Sequence, residues 1–312
     1  MQKNSFLIWI PSIQTYLRFY ELDNDQYRMI LKVLDDKKQI EFFYQLNKII
    51  KDNLISSFDT NELTIVDRFI ICVFLKMNSC SPAISLSRVC DKCGATTTFR
   101  LELDALVKNL APHIDKKFTS LIKYNDYSMV CDLPSIKTEY DIYEYNLMNG
   151  NIDECYLLSF IRKLNIGSQQ IDFDGLSLTN KNLVFSSLPG ALTDIMRKSF
   201  IEPIHNSIST INLVDTACIN ISCKERFIMN VEINYISDLI RLIFRDGSIN
   251  SLMMDLFNLS SAHISSDFIM QISPSEAGIL AEYVRESNKP VEKESPKNQR
   301  DLFESPSEFG GF

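Results

Sequence analysis

Histidine and glycine are scarce in this chain: three and nine among 312 residues. The histidines, His113, His205 and His263, show neither H-x-H nor H-x-x-x-H spacing. That leaves little for a histidine metal site or for a nucleophile–histidine pair. The glycines form no G-x-x-x-x-G-K-[ST], G-x-G-x-x-G or G-x-S-x-G pattern, and no H-E-x-x-H occurs. The familiar phosphate-cradling and hydrolase motifs are therefore missing, and the sequence favours a non-enzymatic protein. Positive charge is also in deficit. Lys and Arg number 32 against 40 Asp and Glu, a net charge of −8 with a pI near 5.1. A protein that works mainly by neutralising phosphate is usually basic, so this balance argues against non-specific nucleic-acid or anionic-membrane binding. No apolar run reaches the ~18 residues needed to cross a bilayer. The short run Phe6-Leu7-Ile8-Trp9-Ile10 stops at Pro11 and lacks a basic leader, so no signal peptide and no membrane anchor are expected.

What is present describes a folded chain. Hydrophobic residues make up 45% and charged residues 23%, values typical of proteins that bury a core without disulfides. Residues 1–22 read as an extended lead-in with a strand at Tyr16–Tyr20. Asp23-Asn24-Asp25 is an N-cap cluster ahead of a helix with Tyr27, Ile30, Val33 and Leu34 at helical spacing. A second amphipathic pattern follows through Ile40, Phe43, Leu46, Ile49 and Ile50. Thr64-Ile65-Val66-Asp67 fits a capping box and opens an apolar helix through Phe69, Ile70, Val73, Phe74 and Met77. That helix is the expected centre of the N-terminal core.

Alternating patterns predict strands at 83–87 and 96–103, a strand pair around 120–132, and strands at 171–175, 209–214 and 227–233. Residues 138–165 read as helix broken at Asn149-Gly150-Asn151. Another helix is expected after Pro189-Gly190, and three more over 237–244, 251–259 and 274–286. The whole predicts an α+β fold with four regions: an N-terminal strand plus helices (1–82), a mixed α+β region (83–236), C-terminal helices (237–286) and a tail (287–312). The tail holds Pro290, Pro296 and Pro306 with mixed charge and few aliphatics, a composition that reads as disordered. Phe303, Phe309 and Phe312 within it are candidate partner-binding anchors, against the plainer reading of a free tail.

Eight cysteines in a chain expected to stay in a reducing compartment are more readily thiols or metal ligands than disulfides. Cys90-x-x-Cys93-Gly94 lies between two alternating runs, hence in the turn of a β-hairpin. Cys218-x-x-x-x-Cys223 lies between two more. Two such turns, each presenting two sulfurs, can hold one tetrahedral Zn²⁺ as a zinc ribbon, and four ligands make a closed, structural site. Gly94 supplies the positive φ that a knuckle needs after its second sulfur. Two ordinary turns with buried cysteines would leave the same spacing, so both readings stand at this point. A thioredoxin-like role is disfavoured because no βαβ pattern surrounds Cys90 and Cys93. Cys72, Cys80, Cys131 and Cys155 read as small core residues. Asp172-x-Asp174-Gly175 has the start of a calcium loop but no closing Glu, and reads as a polar turn.

Several residues taken in order resemble a known family. They are Ile10-Pro11-Ser12, the Arg18-Phe19 strand, the Asp23–Tyr27 helix start, Leu63-Thr64-Ile65-Val66-Asp67-Arg68, Cys90-Asp91-Lys92-Cys93-Gly94 with the strand ending Leu101-Glu102-Leu103, Leu133-Pro134-Ser135, the second Cys pair, Ile264-Ser265-Ser266-Asp267 and Ser273-Pro274-Ser275-Glu276. This ordered set resembles the T4-type baseplate hub proteins of contractile-tailed phages over most of residues 8–285, with an unusual spacing in the second Cys pair. The resemblance implies a non-enzymatic baseplate hub component that binds other tail proteins, found in the virion tail and in the host cytoplasm during assembly. An assembly chaperone absent from the mature particle is the second reading. A zinc-ribbon nucleic-acid or transcription factor ranks last: Arg88, Lys92, Arg100, Lys224 and Arg226 lie near the cysteines, but without interleaved aromatics.

Overall fold

The computed structural model describes residues 3–36, 39–114, 120–138, 141, 152–203, 212–230 and 236–288. Strand β1 (Ser5–Ile10) pairs antiparallel with β2 (Thr15–Tyr20), from Ser5↔Tyr20 to Ile10↔Thr15. One face of this hairpin buries Ile8, Ile10, Leu17 and Phe19. The other carries Leu7, Trp9, Tyr16 and Tyr20 in solvent. The expected lead-in is therefore a full hairpin.

Helix α1 (Asn24–Asp35) starts at Asp23, whose carboxylate accepts from the Gln26 N–H while the Gln26 side chain accepts from the Asp23 N–H. This reciprocal box satisfies two of the donors that a helix start leaves open. Helix α2 (Gln39–Asn53) packs beside it. Helix α3 (Ile65–Ser79) has the predicted Thr64/Asp67 box and buries residues on nearly every side. The segment after Leu133 locks onto its start, with Ile65 N–H donating to Pro134 O at 3.1 Å and Ile136 N–H to Leu63 O at 2.8 Å.

β3 (Ala83–Val89) and β4 (Thr96–Glu102) form a second hairpin, followed by α4 (Leu103–Ile114). β5 (Ser120–Tyr124), β6 (Tyr127–Cys131), β7 (Ile161–Ile166) and β8 (Gln169–Asp172) make a four-stranded antiparallel sheet in that order. Helix α5 (Ile152–Ser159) precedes β7. The expected helix over 138–165 is thus corrected at its C-terminal end: Ile161–Ile166 is a strand, paired on both sides by β6 and β8. Its Ile161 and Leu164 fit a helical face as well as a strand, and only the distant partners decide between the two. Residues 139–140 and 142–151 of that expectation lie outside the described residues. The strand expected at 171–175 ends at Asp172. Asp174 then turns back, its N–H donating to Asp172 Oδ1 and its carboxylate pairing with Arg162, as a polar turn should.

α6 (Leu178–Ser186), absent from the sequence reading, and α7 (Gly190–Met196) follow, and α7 widens into a π turn at Arg197–Ile201. β9 (Asn212–Ala217) and β10 (Arg226–Asn230) form the last hairpin. α8 (Ile236–Phe244) packs on α3. α9 (Ile249–Ser261), α10 (Ser266–Gln271) and α11 (Pro274–Ser287) return to α1. The Asn24 side chain donates to Ile269 O at 2.7 Å and the Asn24 N–H to Ile272 O at 3.0 Å, tying the first helix to the last ones. One continuous buried cluster runs from Ile8 to Ala281.

A charged pair sits inside that cluster. The Lys76 ammonium on α3 donates to Tyr27 Oη of α1 at 2.9 Å and lies 3.0 Å from Asp246 Oδ1, just after α8. Burial alone would push this ammonium down, but Cys80, Tyr27 and Asp246 around it outweigh burial and hold it above the usual lysine value. Burial likewise pushes the Tyr27 hydroxyl and the Cys80 thiol up to about 12. Gly247 follows directly, and a Cβ there would stand 2.4 Å from Tyr27 Oη and 2.7 Å from Leu31 Cδ2. Gly247→Ala is expected to destabilise the protein by about 1–3 kcal/mol through forced displacement of Tyr27. A urea midpoint equal to the parent's would contradict this.

Candidate metal centre

The two cysteine pairs occupy the turns of the β3–β4 and β9–β10 hairpins, which touch along β4 and β9. In the first turn the Cys90 N–H donates to Ala95 O at 2.9 Å, the Gly94 N–H donates to Cys90 O at 2.9 Å, and Gly94 has φ +71°. The second turn repeats the closure. The Cys218 N–H donates to Glu225 O at 2.8 Å, and Lys224 has φ +54°. In each turn the residue after the second cysteine takes the left-handed conformation, and the next one closes the hairpin. Lys224 does this without glycine's freedom, at a conformational cost.

The two extra residues of the second turn are taken up by a local fold. Asn220 accepts twice: its O from the Cys223 N–H at 2.9 Å and its Oδ1 from the Ser222 N–H at 3.1 Å. Asn and Ser are suited to such a turn because their short side chains bond to nearby backbone. The turns are also tied to each other. The Ile219 N–H donates to Thr97 Oγ1 at 3.1 Å, and Lys92 forms an ion pair with Glu225.

All four Sγ atoms lie within 4.8 Å of one another. Across the hairpins, Cys90 Sγ is 3.7 Å from Cys223 Sγ and Cys93 Sγ is 3.5 Å from Cys218 Sγ. These are far from the ~2.05 Å of a disulfide. With Zn–S bonds of about 2.3 Å, a tetrahedral site has sulfurs about 3.8 Å apart. The donor chemistry and the spacing are compatible with zinc, and all four positions are filled by thiols, so Cys90, Cys93, Cys218 and Cys223 are the residues that would hold it. Among the described residues no other group of His, Cys, Asp and Glu is gathered in this way. Cys90 and Cys218 are buried, Cys223 is half-buried and Cys93 is exposed. With Phe99 and Ala95 they make a small apolar cluster separate from the main core.

Without a cation the thiols of Cys90, Cys218 and Cys223 do not ionise alike. Backbone N–H groups of Cys93 and Lys92 lower Cys90 to about 7. Burial, together with the neighbouring Cys93 and Cys90, pushes Cys218 up. The backbone at Glu225 favours the Cys223 thiolate, yet burial and the same neighbours outweigh it and push Cys223 up to about 12. A divalent cation inverts this by favouring every thiolate at once.

The sequence named all four cysteines, and the structure brings them together across 125 and 133 residues of chain. Thr97 and Glu225 were missed as parts of the site, and Lys224 was read only as a basic residue near the cysteines. Aligning the two turns on their second cysteines would have flagged Lys224 as the counterpart of Gly94. Nothing local marks Thr97. Of the other cysteines, Cys72 and Cys131 are fully buried and Cys80 is half-buried; the side chain of Cys155 lies outside the described residues. So do the side chains of His113 and His205, the tail reading beyond Asn288, and the candidate anchors Phe303, Phe309 and Phe312. No helix among the described residues is long and apolar enough to cross a membrane.

A family model described as T4 bacteriophage base plate protein matches residues 5–240, a span that includes both cysteine turns. Neither the curated proteins nor the solved structures contain a match to the chain.

Proposed function

The chain belongs to the T4 bacteriophage base plate protein family, and from that membership we propose that it is a non-enzymatic subunit of the baseplate hub whose surfaces bind other tail proteins. The family places it as a structural component of the phage tail baseplate. The observation that carries the finer reading is the four-thiol cluster that joins two hairpins distant in sequence. A closed set of four thiolates leaves no open position for substrate or water, so a metal there braces structure. We take the metal to be Zn²⁺ and the paired hairpins to act as a zinc ribbon. The neighbouring residues keep the site in shape: Thr97 and Asn220 fix the turn backbones, and the Lys92–Glu225 pair spans the two turns.

The test is quantitative mass spectrometry of purified phage particles beside lysate from infected cells. A hub subunit is expected at a fixed low copy number in the particle. Abundance in lysate with absence from particles would overturn the reading in favour of an assembly chaperone.

A further inference from the structure

The β1–β2 hairpin is apolar on both faces, and only one of them belongs to the core. Facing residues of an antiparallel pair point to the same side. The pairings Leu7↔Arg18 and Trp9↔Tyr16 therefore put these four side chains, with Tyr20 opposite Ser5, on one face. Leu7 is 52% exposed there, Trp9 38%, Tyr16 61% and Tyr20 37%. The Trp9 and Tyr16 rings meet edge to face at 5.0 Å. A strand with one face in water ordinarily alternates apolar with polar residues, and this hairpin does not. Single exposed apolar residues are ordinary, but several gathered on one side of a hairpin mark a contact. Arg18 stands exposed among them, and among the described residues its guanidinium has no ion pair or hydrogen-bond partner.

The chain carries a segment of complementary character. Residues 289–300 hold Lys289, Lys293, Lys297 and Arg300 against Glu292 and Glu294, with no aromatic residue. From 301 to 312 the composition reverses. Asp301, Glu304 and Glu308 occur there with no Lys or Arg, beside the apolar Leu302, Phe303, Phe309 and Phe312. The carboxylates suit the unpaired Arg18, and the phenylalanine rings suit Trp9, Tyr16 and Tyr20. The reach also suffices. The Asn24 N–H, four residues after Tyr20, donates to Ile272 O, two residues before Pro274, so α11 starts near the end of the hairpin. The fourteen residues of α11 carry the chain about 21 Å. Residues 289–300 can span about 40 Å, enough to return from the far end of that helix.

We infer that residues 301–312 dock on the outer face of this chain's own β1–β2 hairpin, with phenylalanine rings against Trp9 and Tyr16 and a carboxylate against Arg18. The inference does not depend on the baseplate reading. A segment on a short connection meets its target at an effective concentration of about millimolar, so even a weak contact is made most of the time. The same face of a second copy fits less well, because it brings another Arg18 and no carboxylate. Single-stranded nucleic acid stacks on aromatic rings too, but it needs a cationic groove along its backbone, and this face offers one cation.

Trp9 is the chain's single tryptophan, so its fluorescence reports this face. In the full chain, Phe303→Asp combined with Phe309→Asp is expected to raise the acrylamide quenching constant of Trp9 at least about twofold, because a cover present most of the time is removed. Emission should move to longer wavelength, with the parent's melting temperature kept. Arg18→Glu is expected to change quenching in the same direction. An unchanged quenching constant in either variant would overturn the proposal. Should a variant melt early, Tyr16→p-benzoylphenylalanine decides, photolysed in the purified full chain at about 1 µM, roughly a thousandfold below the effective concentration of a tethered segment. The expected product is a link within one chain, from position 16 to a peptide inside 301–312. A link to a second copy, to nucleic acid or to another segment, or no link at all, would overturn the proposal.

Discussion

If Zn²⁺ holds the four thiols as proposed, a Cys93→Ser variant is expected to lose it and to open the β9–β10 hairpin while α3 and its surroundings stay folded. Loss of a residue that merely orients a ligand already costs about 10–100-fold in metal affinity, so loss of a ligand costs more. The two hairpins should respond differently. β3 and β4 are anchored in the main core through Ile84, Leu86 and Leu101 and keep that anchor without metal. The described anchors of the β9–β10 turn are Cys218 and Cys223 in the small separate cluster, the Thr97 bond and the Lys92–Glu225 pair. An exposed ion pair adds little, and an isolated two-stranded hairpin is marginal in water. Hydrogen exchange should therefore show lost protection over Asn212–Asn230, with amides of Ile65–Ser79 changed by less than about 1 kcal/mol in opening free energy. Uniform loss across both regions would mean that the cysteine turns support the whole core. No loss in either would mean that the hairpins need no metal.

Asp246→Asn is expected to cost about 2–4 kcal/mol, because the amide oxygen can still accept from the buried Lys76 ammonium but no longer neutralises its charge. Lys76→Met is expected to cost less than Asp246→Asn, since it removes the more deeply buried charge, leaves the Asp246 carboxylate with 16% of its side chain exposed to water, and packs against Tyr27 and Phe244. The two variants delete the same ion pair, so their difference isolates the penalty of an unpaired buried cation. Urea unfolding of both measures it. Equal destabilisation would show that the pair contributes through its own attraction, and the burial argument would fail. The pair matters to the architecture because it joins α1, α3 and the end of α8, which are the helices that bring the N- and C-terminal parts of the chain together.

What could be read ahead of the structure was what is decided locally. The Asp23 and Thr64 helix starts are set by side chains three residues from their partners, and both formed as expected. The turns at Cys90–Gly94 and Cys218–Cys223 are likewise written in adjacent residues. Misreadings came where a distant partner decides. Phe6–Ile10 looks like one apolar run because its solvent face carries Leu7 and Trp9, which hides the alternation that a strand shows. Ile161–Ile166 satisfies two periodicities, and β6 and β8 choose between them. The burial of Lys76 is set by distant partners too, Tyr27, 49 residues earlier, and Asp246. For the candidate metal centre, residue types and spacing picked out the four cysteines that the structure brings together. The supporting shell could not be read, because Thr97 meets Ile219 across 122 residues and Lys92 meets Glu225 across 133.

Native mass spectrometry of the intact chain, purified under reducing conditions without added metal, tests most directly whether one ion braces the two hairpins. The account predicts one zinc per chain, removed by a strong chelator together with the exchange protection of Asn212–Asn230, and both restored by adding zinc back. A chain that carries no zinc, takes none up when it is supplied, and protects both hairpins equally with and without chelator would contradict it.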